Sequence, residues 1–111
     1  MVQALIEAGA DLNKPEEDGW TLLHIGAQNG HEAVVRALIE TGADINKAMD
    51  DDATPLFIAA QEGHEAVVRA LTEFGADVNK AMNDGGTPLF IAAQMGHAAI
   101  VQILRDSGAV L

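Results

Sequence analysis

With 111 residues, 17 Asp and Glu against 6 Lys and Arg, and a formal net charge of −11, the chain would repel a phosphate backbone and lacks the cations to track one. Nucleic acid is therefore not expected as a partner. There is no cysteine, which removes disulfides, thiolate metal sites and cysteine nucleophiles and permits a reducing, cytoplasmic setting. Apolar runs of only a few residues argue against a membrane span, and Met1-Val2-Gln3 lacks the basic-then-apolar layout of a signal peptide.

The stretch from Thr54 to Asn79 organises the rest, because Thr21 to Asn46 and Thr87 to Ala109 nearly repeat it one period of 33 residues away. Between Glu17–Met49 and Asp50–Met82, about 23 of 33 positions are identical. The chain divides into a partial unit, 1–16, and three further units, 17–49, 50–82 and 83–111, forming a single domain. A repeat this short cannot bury its own apolar faces, so stability must come from stacking.

Taken in order, Met1 to Ala8 matches the tail of a second helix, with Val2, Leu5 and Ile6 standing where Val35, Leu38 and Ile39 stand one period on. No polar replacement shields these residues, so this N-terminal edge is expected to be sticky or frayed, giving either a monomer or weak self-association through it. Arg105, which replaces Ile39 and Thr72 of the earlier units, reads as a cap at the opposite end. Gly9, Gly42, Gly75 and Gly108 follow the second helices at a spacing suited to a left-handed C-terminal cap.

Loop tips come next: Pro15 to Trp20, Ala48 to Ala53 and Ala81 to Gly86. Gly19 and Gly85 suit a left-handed position that Asp52 occupies in the middle unit. Thr54-Pro55 and Thr87-Pro88 then start helices, the hydroxyl capping free amides and the proline losing no hydrogen bond at the first helical position. These first helices are short and rich in alanine. Gly26 stands where Ala59 and Ala92 stand and is expected to weaken its helix by up to about 1 kcal/mol. After Gly-His, the second helix, from about Glu65 to Glu73, sets Val67, Val68 and Leu71 on one stripe at helical spacing.

Thr-Pro-Leu-Phe-x-Ala-Ala, Gly-His, Val-Val-x-x-Leu and Gly-Ala-Asp-Val-Asn, in this order and period, resemble the ankyrin repeat over essentially the whole chain. The resemblance implies an all-α solenoid: antiparallel helix pairs with hairpin-like loops projecting at right angles. It also implies protein recognition through the loop tips and the first helices. A structural scaffold, or a designed consensus module without a specific natural partner, is the alternative. The family's histidine after Thr-Pro-Leu is kept as His24 and replaced by Phe57 and Phe90. In the family, asparagines placed like Asn46 and Asn79 can be hydroxylated; the plainer reading is that their side chains bond backbone at the turn.

Other chemistry is weaker. His31, His64 and His97 recur once per unit, which sets neighbours about 8–10 Å apart, too far to share one zinc bound at about 2 Å. They are read as bonding backbone at the inter-helix turn. Asp50-Asp51-Asp52 lacks the interleaved spacing of a calcium loop and is read as a solvated tip. No nucleophile with its base and no phosphate loop recurs, so no cofactor and no catalysis are expected.

Positions that vary while the frame stays fixed mark the candidate binding residues: Glu17, Trp20, Asn29, Asp50, Ala53, Glu62, Asn83, Gly86 and Met95. The acidic loops point to a partner with basic surface. Trp20 is the main anchor candidate, since Ala53 and Gly86 at the same position show that bulk is not needed there. On this reading Trp20→Ala leaves the melting temperature nearly unchanged and weakens a partner by about 2 kcal/mol or more; on the alternative, Trp20 folds onto its own loop.

Overall fold

The computed structural model describes residues 19–110. Among them are six helices and no strand: α1 (Leu22–Asn29), α2 (Glu32–Glu40), α3 (Pro55–Glu62), α4 (Glu65–Glu73), α5 (Pro88–Gln94) and α6 (Ala98–Asp106). The N-terminal edge and Glu17 lie outside the described residues.

Each first helix starts on a threonine. The Thr54 and Thr87 hydroxyls accept the Phe57 and Phe90 amides at 3.2 and 3.1 Å, with Pro55 and Pro88 following. In the first unit, Thr21 and His24 form a reciprocal cap in which the His24 Nδ1 accepts the Thr21 amide at 3.1 Å. Asp52 adopts a φ of 70° at the loop tip, the conformation that Gly19 and Gly85 share at 85° and 90°. Gly42, Gly75 and Gly108 are left-handed after the second helices, and the next residue's amide reaches back to the carbonyl of Leu38, Leu71 or Leu104 at 2.9–3.0 Å.

The helices stack in two rows. α3 lies between α1 and α5, and α4 lies between α2 and α6. The core runs through the stack as Leu23, Leu38, Leu56, Val67, Val68, Leu71, Leu89, Ile100 and Leu104, all essentially sealed from water. Side chains without large volume, Ala27, Ala59, Ala60 and Ala92, let the first helices approach closely. Gly26 is buried, and a Cβ there would meet Val35 Cγ2 at 3.2 Å.

Polar groups join one unit to the next. The His64 Nε2 bonds the Gln28 carbonyl at 2.8 Å, and the His97 Nε2 bonds that of Gln61 at 3.2 Å. These imidazoles therefore bind the preceding unit's first helix and make no side-chain cap for their own. The close approach requires glycine opposite: a Cβ on Gly30 would lie 2.6 Å from His64 Nδ1, and one on Gly63 would lie 2.8 Å from His97 Cε1. The Asn46 side-chain oxygen accepts the Asp77 amide at 2.8 Å, and that of Asn79 accepts the Val110 amide at 3.0 Å. Both asparagines thus bond the following unit's backbone, a longer reach than the local turn expected from sequence. Arg105 is exposed, and an apolar hollow at the same end is lined by Ala93, Gly96, His97, Ala98 and Val101, without it.

Candidate protein-binding groove

The loop tips and the first helices enclose one groove of about 680 Å³. The loops are pinned by their own backbone, since Met49 donates to the Ala53 carbonyl and Met82 to that of Gly86, each at 2.8 Å. Neighbouring loops are joined by Asn83, whose amide donates to the Asp51 carbonyl at 3.1 Å. In both tips an aspartate closes the turn: the Asp51 carboxylate accepts the Ala53 amide and that of Asp84 accepts the Gly86 amide, each at 3.0 Å.

Ile58 and Ile91 lie in the floor with Phe57 and Phe90. The two phenylalanines stand one period apart yet differ sharply, Phe57 being 6% and Phe90 51% exposed. A Cβ on Gly86 would lie 3.7 Å from the Phe57 ring and 3.9 Å from the Phe90 ring, so both reach the base of this loop, and only Phe90 leaves its ring available. Gln28, Gln61 and Gln94 line the side where the first helices end, and Asp51, Glu62 and Asp84 supply carboxylates. No Lys or Arg is among the described residues of the lining.

Trp20 closes one end. It is half-buried, packs on the core and meets the His24 ring edge-on, with centroids 6.0 Å apart and planes at 78°. His24 is buried, and its Nε2 lies 3.2 Å from the Ala53 carbonyl. With Nδ1 accepting from Thr21, the proton of the neutral ring sits on Nε2 and is donated to Ala53. Burial lowers the His24 pKa below its ordinary 6.5, a shift opposed in part by the bond to the Ala53 carbonyl.

Of the candidate residues, Trp20, Ala53, Glu62 and Gly86 line the groove together. Ala53 does so from a buried position, 4% exposed, and its amide and carbonyl are both bonded within the fold. Asn29, Asp50, Asn83 and Met95 are exposed but outside the lining. Sequence comparison between units missed Gln28, Gln61, Gln94, Asp51 and Asp84, because a search for variation passes over positions that the units share, and it missed Phe90, whose position varies only as His24, Phe57 and Phe90 and was read as framework. A Gln at the same place in each largely apolar first helix was the signal available. Among the described residues, no three His, Cys, Asp or Glu side chains gather to hold a metal.

The family model for Ankyrin repeats (3 copies) matches residues 1–49 and 46–111. The chain belongs to the ankyrin repeat family. Ankyrin repeats are generally protein–protein interaction modules and typically non-enzymatic. Curated relatives include the Notch-regulated ankyrin repeat-containing proteins of Xenopus tropicalis and Xenopus laevis, each 44% identical over 35 residues, or 32% of this chain. That match spans 31% of each relative's length. No helix among the described residues of this ankyrin repeat protein is long and apolar enough to cross a membrane.

Proposed function

We propose that this chain is a non-catalytic recognition module that binds a protein partner in the groove between its loop tips and first helices. The observation that carries this reading is the exposed Phe90 ring set in an apolar floor whose bordering carboxylates meet no cation among the lining residues. An aromatic anchor with polar surroundings is the composition of an interface centre. The acidic balance of the chain supports a partner with basic surface rather than nucleic acid or an anionic membrane. Its cysteine-free composition suits a cytoplasmic setting.

The test is affinity capture with three forms of the chain: the unaltered one, a Phe90→Ala/Glu62→Ala variant, and an outer-face variant, Arg69→Ala. The groove variant is expected to lose a saturable partner that the other two retain. Equal capture by all three would contradict the groove assignment, and no saturable partner for any would favour the scaffold alternative.

A further inference from the structure

The groove repeats one arrangement of residues across two units, with the Phe90 half the more open. Ile58 and Phe57 from one unit and Ile91 and Phe90 from the next form its floor, while Asp51 and Asp84 occupy the same rim position one period apart. Each aspartate is held through one oxygen by an amide of its own loop, so its carboxylate is fixed in place before any ligand arrives. On the opposite rim stands Glu62, the last residue of α3.

The groove's dimensions narrow the choice of occupant. Between Asp51 and Glu62 lies the eight-residue helix α3, about 12 Å long at 1.5 Å per residue. An α-helix with its side chains is about 10–12 Å across, which matches that width. Along the stack, packed helices sit about 8–10 Å apart, close to the rise of about 10.5 Å over seven helical residues. A ligand helix with apolar side chains seven residues apart would meet the two halves of the floor in turn.

We propose that the partner element is a basic amphipathic helix. Its apolar stripe rests chiefly on the exposed Phe90, with the accessible edges of the otherwise buried Ile58 and Ile91 beneath it, and Lys or Arg on either side of that stripe pairs with Asp51 and Asp84 across from Glu62. This rests on the reading of the groove as a protein-binding site. Charge complementarity favours it: three rim carboxylates face the ligand, no Lys or Arg lies among the described lining residues, and the chain as a whole is strongly acidic.

The probe is a three-heptad Leu–Lys amphipathic helical peptide, titrated into the full chain and followed by fluorescence of Trp20, the only tryptophan and itself in the groove lining. Saturable one-to-one binding is expected. It should weaken about fivefold or more for Asp51→Asn/Asp84→Asn, because two charge pairs are lost, while the asparagine oxygens still accept the Ala53 and Gly86 amides and keep the loops folded. A charge-matched control, Glu40→Gln/Asp106→Asn, alters exposed residues outside the lining and should change affinity by about twofold at most. A Leu–Glu peptide, and a Leu–Lys peptide interrupted by proline, should not bind.

Equal weakening by the groove and control variants, or equal binding of the proline-interrupted peptide, would overturn the helix assignment. Failure of the Leu–Lys peptide, together with a captured protein lost from the Phe90→Ala/Glu62→Ala variant, would overturn it and leave the groove reading intact. If that variant also keeps its captured protein, both fall.

Discussion

Gly63 and Gly96 offer an internal control for how the stack is held together. Both follow a first helix with φ near 78°, yet a Cβ on Gly63 would lie 2.8 Å from His97 Cε1 and 3.0 Å from Nε2, while one on Gly96 meets nothing within 4 Å. Gly96→Ala therefore carries only the left-handed strain of a non-glycine residue, about 1 kcal/mol. Gly63→Ala adds displacement of the imidazole from the Gln61 carbonyl, a bond of 3.2 Å that contributes about 0.5–1.5 kcal/mol, and some loss of packing around the ring. The expected loss is about 2–3 kcal/mol for Gly63→Ala. Urea denaturation followed by far-UV circular dichroism measures both, and repeating Gly63→Ala in a His97→Ala background should bring its cost down to that of Gly96→Ala. Equal losses for the two single variants would refute the claim that the histidine seat needs glycine.

Protonation of His24 should destabilise the fold. Its folded pKa lies below 6.5 because of burial, so its contribution is full above the unfolded value and is lost as pH falls from there towards the folded one. His24→Phe, the residue used by the other two units, should flatten that part of the stability profile, and an unchanged profile would contradict it. Gly26→Ala should stabilise by up to about 1 kcal/mol, since the equivalent Ala59 packs at zero exposure in a unit carrying the same Val-Val pair, Val67 and Val68; a lower melting temperature would mean that Val35 cannot yield. Trp20→Ala should now lower stability by about 1 kcal/mol through loss of the edge-on contact with His24, where sequence alone led us to expect almost none. An unchanged melting temperature would restore the freer loop-tip picture.

The helices and their ends were legible because local chemistry marks them: threonine, twice followed by proline, before each first helix, Gly-His before each second one, and glycine at the turn where the chain reverses. Asp52 at a left-handed tip was legible by alignment with Gly19 and Gly85. Contacts between units were only half visible. The recurrence of His64 and His97 showed that they matter, but only the stack brings them to Gln28 and Gln61, 36 residues earlier. The groove was harder to see for a related reason. Phe57 and Phe90 are the same residue in the same frame, yet one is 6% and the other 51% exposed, a difference set by what each meets in the stack and absent from the sequence of its own unit.

The central claim is that the groove, rather than the outer row of second helices, receives the partner. Its most direct test is a heteronuclear NMR titration of the isotope-labelled chain with the Leu–Lys peptide. Amide shifts should move at Gln28, Asp51, Gln61, Asp84, Phe90 and Gln94, with Arg36, Arg69 and Glu73 on the outer row unmoved. Shifts concentrated on those outer residues, with the groove amides silent, would contradict the account.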